Sequence, residues 1–255
     1  MYDPSFPALR SVAFKTGAPV AQAKARFAED RLLDAVIWCE ISPGCFLTEA
    51  DAMERFGLTR AAARAGLTRL GYDGWAMPQP RTGWLISPIT GASIGQALDA
   101  RRIAEPALGD VKLNAQSKSE LIYIRKLLQP LKDRKEAGAV ASRKHYTDRV
   151  DSILLSFTNP FTARHLRKLW HHTTRMTRFF ENPESEIVFN YNNTSGLIEA
   201  VLAENKTKIN DIRQALIGEQ QEFFLKQLLN SDAPLSPGSG ITGQTDKAAI
   251  FRRER

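Results

Sequence analysis

The sequence predicts a mainly α-helical protein with an N-terminal winged helix-turn-helix domain and a C-terminal antiparallel helical bundle. Two short helical patterns joined by a glycine-containing turn lie between residues 48 and 73, an arrangement typical of a helix-turn-helix. The segment 75–87 has the Trp, Pro and Gly content of a two-stranded hairpin, which would form the wing. From 92 to 230, apolar residues recur at three- and four-residue spacings, which indicates packed amphipathic helices.

Composition is consistent with a folded chain of one or two domains. The chain has 255 residues, 43% of them hydrophobic, and a formal net charge of +7. It has no apolar run of the roughly 18 residues that a membrane span needs, and its first residues lack the apolar core of a signal peptide. We therefore expect a cytoplasmic protein with no membrane partner. Cys39 and Cys45 are too few for a disulfide framework or a four-cysteine zinc site.

Shifts in composition divide the chain into four expected regions. A proline-containing flexible N-terminal arm covers 1–22, and the winged helix-turn-helix domain covers 23–90. An all-helical domain for effector binding and dimerisation follows over 91–230. A disordered tail rich in Ser, Gly and Pro covers 231–255.

The helices of the first domain have recognisable ends. The first is expected over about 23–39. Thr48 is an N-cap for the second, with Asp51 completing a capping-box pattern, and Gly57 ends it. Thr59 caps the third helix, which runs to about Asp73.

The third helix has an apolar side and a basic side. The apolar residues expected to pack on the first two helices are Ala63, Leu67 and Leu70. The adjacent arc holds Arg60, Ala61, Arg64 and Thr68. Arginines can bond guanine bidentately in the major groove, and the hairpin tip carries a further arginine, Arg81, for the minor groove. Such an arginine pair is usually a solvated surface pair, but its place in a helix-turn-helix favours DNA recognition.

The stretch that carries these features resembles the GntR family of bacterial transcriptional regulators. It is ISPGCFLTEADAMERFGLTRAAARAGLTRLGYDGWAMPQPRTGWLIS. It contains the family's Pro-Gly turn, its Phe-Gly-hydroxyl-Arg turn, its recognition-helix pattern and its Arg-x-Gly wing. The positions that match the family's DNA-contacting residues are Thr59, Arg60, Arg64 and Gly83. The sequence departs from the family pattern at Ala62, Ala65 and Gly66, which replace a proline, a glutamate and an alanine.

The residues predicted to contact DNA lie at the start of the second helix, along the third helix and in the wing. They are Thr48, Thr59, Arg60, Ala61, Arg64, Thr68, Arg69, Arg81 and Gly83. Residues 55–85 hold five arginines and one acid, so this segment is far more basic than its surroundings.

The second half resembles the all-helical (FCD-type) effector domain of the fatty-acid and vanillate regulators, the FadR/VanR-like subgroup. The matching features are Arg101-x-x-Ala104-Glu105, the segment LNAQSKSELIYIRKLL and the Asn159-Pro160 junction. This resemblance implies a homodimeric regulator, expected to be a repressor. It would bind an inverted-repeat DNA operator and respond to a small-molecule effector, a carboxylate or similar organic acid.

Many members of that subgroup hold a divalent metal with one Asp and three His. The corresponding positions here fall near Tyr146, Val150, Thr194 and Leu216, which supply no imidazole. A one-residue slip would bring Asp151 close to a ligand position, with Asp148 nearby, and His165 and His172 share one helix face. We expect no metal and no other cofactor, since carboxylate oxygens alone suit zinc or nickel poorly.

Without a metal, effector recognition depends on side chains facing the bundle interior. Arg101 is the first candidate to bind a carboxylate, and the alternative is a structural pair with Glu105 one turn on. Arg102 would exchange roles with Arg101 if the register were shifted. Further candidates are Tyr146, Asn159, Arg164 and Arg175. The large aromatic residues expected in the bundle core rather than at the ligand are Phe157, Phe161, Trp170 and Phe179.

Three functions compete at this point. The first is a ligand-responsive DNA-binding regulator. The second is a DNA-binding dimer without an effector. The third is an enzyme with a nucleic-acid-binding appendage, which the sequence disfavours because it has neither a Gly-rich phosphate loop nor a nucleophile elbow.

Overall fold

The computed structural model describes residues 20–181, 187–191 and 193–230. The tail expected over 231–255 and most of the arm expected over 1–22 lie outside the described residues. The first described helix begins at Val20, inside the expected arm, and ends at Ile37.

The described part of the N-terminal domain, from residue 20 onward, contains three helices and a small sheet. Its elements are α1 (Val20–Ile37), β1 (Phe46–Leu47), α2 (Glu49–Phe56), α3 (Arg60–Tyr72), β2 (Ala76–Gln79) and β3 (Gly83–Ile86). The predicted caps are confirmed: Thr48 and Asp51 form a capping box, and Gly57 ends α2 in the left-handed conformation with φ 62°. Thr59 caps α3 by accepting a hydrogen bond from the Ala62 amide. The predicted helix-turn-helix is therefore confirmed.

The wing belongs to a three-stranded antiparallel sheet rather than to an isolated hairpin. The strand order is β1-β3-β2, and Leu47 lies opposite Trp84. The short strand β1 was not predicted, because a two-residue strand has no sequence periodicity of its own. At the wing, Gly83 has φ +99°, and a Cβ there would lie 2.7 Å from the Leu47 carbonyl oxygen. This position therefore needs a glycine.

A close helix–helix contact explains the unexpected glycine inside α3. A Cβ at position 66 would lie 2.7 Å from Leu32 Cδ1 and 3.2 Å from the Ala28 carbonyl oxygen, both on α1. Glycine costs a helix up to about 1 kcal/mol relative to alanine. Here Gly66 lets α1 lie directly against α3, and both Ala28 and Leu32 are fully buried.

The rest of the described chain forms the helical domain. Its helices are α4 (Gly91–Ala104), α5 (Ala115–Leu128), α6 (Ala137–Ser156), α7 (Pro160–Phe180), α8 (Thr194–Leu202) and α9 (Lys206–Asn230), with 3-10 helices at Glu105–Asp110 and Gln129–Leu131. Asn159 and Pro160 form the predicted junction, with Asn159 as the N-cap of α7 and Pro160 at its first turn. The predicted fold class, a winged helix-turn-helix followed by a helical bundle, is confirmed. Among the described residues, no helix is both long and apolar enough to cross a bilayer.

The bundle core contains only some of the aromatic residues predicted for it. Phe157 and Trp170 are half-buried and pack on the core. Phe161 is 79% exposed and Phe179 is 37% exposed, so their predicted burial is wrong. Phe161 lies next to Pro160 in the first turn of α7, and its amide is bonded to the side chain of Asn159.

The two domains meet along α7. Arg175 Nη2 donates a 2.6 Å hydrogen bond to the Ser87 carbonyl oxygen, which follows β3. The His172 ring stacks on Trp75 with ring centroids 3.9 Å apart. The Arg178 guanidinium lies over the Trp38 ring, 4.5 Å from its centroid. The winged helix therefore contacts the bundle through aromatic stacking and two buried or half-buried arginines.

Candidate nucleic-acid interface and bundle cavity

The N-terminal half of α3 presents a basic surface. Arg60, Ala61 and Arg64 are all exposed on this part of the helix. Arg60 makes no hydrogen bond or ion pair with any described residue, and the same holds for Arg81 at the wing tip. Arg81 has a positive φ of 67° in the turn between β2 and β3. These two guanidinium groups are thus available to an outside partner.

Arg64 is exposed but already oriented. Its Nε donates to Glu49 Oε1 at 2.7 Å and its Nη2 donates to Glu49 Oε2 at 3.1 Å. These bonds lower the pKa of Glu49. The pair fixes the arginine of one helix against the first residue of the other, so Glu49 is a residue of this surface that the sequence analysis missed.

The wing, the start of α2 and the recognition helix form a continuous surface. At Gly83, the position of a Cβ lies 3.2 Å from the Thr48 Cα atom, and the next residue, Glu49, holds Arg64. The Thr48 hydroxyl is engaged with Asp51. An elongated partner lying on α3 would therefore also meet the base of the wing.

The other predicted DNA residues lie at the edges of this surface. Thr59 is exposed and caps α3, whereas Thr68 is half-buried. Arg69 is exposed, and its Nε donates to Asp73 Oδ2 at 2.9 Å.

A cavity of about 370 Å³ lies where the bundle meets the winged-helix domain. Its walls come from α4, α6, α7, α9 and residues 189–191 of the bundle, and from α1 and the residue that follows it. The contributions of the first domain are Asp34, Ile37 and Trp38. One chamber therefore contacts both domains.

Arg101 lines this cavity, but its guanidinium is already occupied. Its Nε donates to Glu105 Oε1 at 2.5 Å, and its Nη1 is bonded to Thr173 and Gln220. The alternative weighed for Arg101, a pair with Glu105, is what the structure contains. Arg102 does not line the cavity: it pairs with Asp99 at 2.8 Å and with Gln221 on the outside of the bundle.

The four further effector candidates do not line the cavity. Tyr146 packs against the bundle core, and Asn159 uses its side chain to cap α7. Arg164 is exposed on α7, and Arg175 is committed to the domain junction through Ser87. Their predicted role in effector binding stays a prediction from the sequence, and helix periodicity does not reveal which face of each helix meets this cavity.

A charge network crosses the bundle beside the cavity. Arg213 Nε donates to Glu105 Oε2 at 2.6 Å, and Arg213 Nη1 donates to Asp151 Oδ1 at 2.8 Å. The Trp170 indole donates to Glu105 Oε1 at 2.8 Å. Burial alone would raise the pKa of Glu105, but Arg213 and Arg101 outweigh it and hold that pKa at about 2. Glu105 therefore stays ionised between two arginines.

This network does not fit the metal that the family resemblance implies. Asp151, the nearest candidate ligand, is paired with a guanidinium, so a divalent ion would have to displace Arg213. No group of three or more His, Cys, Asp or Glu suited to a metal occurs among the described residues. His165 is exposed, whereas His172 is stacked on Trp75.

The sequence analysis missed several cavity residues. Arg143, Lys144 and Arg178 bring positive charge to its walls, and Tyr191 and Asn190 come from the segment that precedes α8. Arg143 lies one helical turn before Tyr146 on α6, but it lines the cavity whereas Tyr146 packs on the bundle core. No sequence signal separates it from a surface arginine, since its burial depends on how α6 packs.

Comparisons with known proteins found solved structures with a similar fold. No model of a protein family matches the sequence, and no curated protein matches it. The structure is similar to that of E. coli McbR/YncC, with 15% sequence identity, a TM-score of 0.61 and coverage of 80% of this chain and 98% of that one. It is also similar to a crystal structure described as a putative transcriptional regulator GntR from Rhodococcus sp. RHA1, with 13% identity, a TM-score of 0.57 and the same two coverages. The chain thus has the fold of these two proteins over nearly their whole length.

Proposed function

We propose that the chain is a GntR-type, DNA-binding transcriptional regulator. In this proposal α3 enters the major groove of an operator and the wing lies along the adjacent minor groove. The observation that carries it is the surface formed by α3, the start of α2 and the wing, where Arg60 and Arg81 make no hydrogen bond or ion pair with a described residue. The similarity of fold to the Rhodococcus protein described as a putative GntR regulator supports it.

The finer features of the proposal come from the family resemblance. The regulator binds an inverted-repeat operator as a homodimer, acts as a repressor in the cytoplasm, and responds to a small organic acid in the bundle. The cavity supports the response to an effector, because α1 of the DNA-reading domain forms one of its walls. A ligand there would contact both domains and can change their relative position. A DNA-binding dimer without an effector is the alternative, and we do not propose an enzyme.

The DNA surface is tested by replacing Arg64 with alanine. Operator sequences are first selected from a random duplex library with the wild-type protein, and affinities are then measured by fluorescence anisotropy. Loss of a bidentate contact to guanine should reduce discrimination between the selected and scrambled duplexes by about 1–3 kcal/mol. Wild-type affinity should also fall steeply as salt rises, because phosphate contacts release counterions.

Arg164→Ala is the matched control, since Arg164 is exposed on α7 of the bundle and outside the proposed surface. This variant should keep the wild-type discrimination. If Arg64→Ala and wild type discriminate equally, the assignment of α3 as recognition helix is wrong. If no selected duplex binds better than scrambled DNA, the regulator proposal itself fails.

A further inference from the structure

Arg143 is a buried arginine that has no carboxylate partner among the described residues. Its side chain is among the buried charged groups, with 4% of the residue exposed. Its Nη1 donates to the Leu131 carbonyl oxygen at 2.5 Å, and its Nη2 donates to Asn190 Oδ1 at 2.8 Å. Both acceptors are neutral. The positive charge therefore has hydrogen bonds but no counter-charge among the described residues.

This situation differs from that of Arg101 and Arg213, the two buried arginines of the charge network. Arg101 and Arg213 each pair with Glu105 at 2.5–2.6 Å. Arg143 only influences Glu136 from beyond ion-pair distance, as one of the weaker contributions to the lowered pKa of that exposed residue. Holding a charge in a protein interior without a counter-charge is costly. An anion bound at Arg143 would remove that cost.

Two buried hydrogen-bond donors that lack an acceptor within the described ranges belong to residues that line the cavity near this charge. Arg143 Nε and the Tyr191 hydroxyl are both buried, and neither has a hydrogen-bond partner in the part of the chain that the structure describes. Both residues line the main cavity, and both also line a small recess of about 10 Å³ beside it. Burial raises the pKa of Tyr191, so its hydroxyl stays protonated and can donate. Two donors and one uncompensated charge favour an acceptor that is itself negative.

We propose that Arg143 Nε–H and the Tyr191 O–H bind one oxyanion, the carboxylate or phosphate group of a small molecule occupying the cavity. The inference deepens the proposed effector response, and moves the anion-binding role from Arg101 to Arg143. A water molecule could accept both hydrogen bonds, but it would leave the charge of Arg143 uncompensated. The cavity of about 370 Å³ leaves room for the rest of a small organic molecule.

The test measures anion binding to the full chain by thermal shift and isothermal titration. The probes are sodium acetate, sodium succinate and inorganic phosphate, each compared with sodium chloride at equal ionic strength. We expect at least one probe to bind saturably and to raise the unfolding temperature above that in chloride. Preference for succinate or acetate would identify a carboxylate ligand, and preference for phosphate a phosphorylated one.

Three variants locate the binding. Arg143→Gln should abolish saturable binding, and Tyr191→Phe should weaken it about tenfold, as expected for loss of one hydrogen bond to a charged group. Arg164→Gln, which removes an exposed arginine outside the cavity, should bind like wild type. If Arg143→Gln does not fold, Tyr191→Phe decides alone, since wild-type affinity in that variant would overturn the proposal.

The proposal also fails if no oxyanion binds better than chloride, because the two donors then hold only water. DNA binding is measured on the same wild-type preparation. Selective, salt-dependent DNA binding without anion binding would reject this site and retain the regulator. Anion binding without DNA binding would retain the site and reject the regulator.

Discussion

Arginines serve opposite purposes in the two domains. On the winged helix, Arg60 and Arg81 are exposed and make no hydrogen bond or ion pair with a described residue, and Arg64 is 67% exposed beside Glu49. In the bundle, Arg101 and Arg213 are almost fully buried and share Glu105 between them. The first group is placed to meet charge from outside the chain, whereas the second is neutralised from within.

This difference predicts which arginines can be replaced with little loss of folding stability. An exposed guanidinium is solvated by water, so its ion pairs add between about zero and 1 kcal/mol to stability. A buried guanidinium has exchanged water for carboxylates, and removing it leaves those carboxylates buried and unpaired. Stability should therefore respond to substitutions in the bundle, and DNA binding to substitutions in the winged helix.

The largest effect should follow from Arg213→Met. The substitution leaves Asp151 without its ion pair and Glu105 with only Arg101, inside the bundle. We expect the free energy of unfolding to fall by about 3–5 kcal/mol. Urea denaturation followed by circular dichroism measures this change.

Arg125→Met is the control, since Arg125 pairs with Glu199 at 3.4 Å on the surface, and its loss should cost no more than about 1 kcal/mol. Equal losses in the two variants would contradict the distinction.

A smaller effect concerns pH at the junction of the two domains. Burial, together with the charges of Lys168 and Arg175 and the neighbouring His171, lowers the pKa of His172 from 6.5 to about 4. Between pH 6.5 and 4 the unfolded chain binds a proton that the folded His172 does not, so the free energy of unfolding falls as pH falls. After allowance for partial exposure, we expect His172 to contribute about 1–2 kcal/mol of this loss.

The measurement is the free energy of unfolding of wild type and His172→Gln at several pH values from 7 to 4. The variant loses the stack on Trp75 at every pH, so the slopes rather than the absolute stabilities are compared. The slope should be shallower in His172→Gln, and His165→Gln, at an exposed position of the same helix, should keep the wild-type slope. Identical slopes in all three proteins would show that folding does not disfavour protonation of His172.

Sequence patterns predicted the winged helix better than the bundle cavity, for a physical reason. Thr48, Gly57 and Thr59 mark helix ends through local hydrogen bonds and backbone angles, which depend on neighbours in sequence. Arg143 and Tyr191 come together from segments 48 residues apart, and nothing local marks either one. Gly66 shows the same limit within the first domain, because its role lies in the approach of α1. The sequence predicted helices and their ends, but not which faces enclose the cavity.

The smallest effect should come from Glu49→Gln, which probes the exposed ion pair between Arg64 on α3 and Glu49 at the start of α2. In the free protein Glu49 holds Arg64 through two hydrogen bonds, and DNA must compete for that guanidinium. Removing the charge frees Arg64, so affinity for scrambled duplex should rise several-fold, within the roughly 1 kcal/mol that an exposed pair contributes. Affinity for the selected operator should rise less, because Arg64 loses its fixed orientation.

Glu54→Gln removes an exposed acid from the same helix, and it controls for the change in net charge. If both variants strengthen scrambled and operator binding by the same factor, Glu49 acts only as a negative charge near the DNA. A larger rise for scrambled DNA in Glu49→Gln alone would show that the winged helix, like the bundle, uses a carboxylate to set what its arginine can bind.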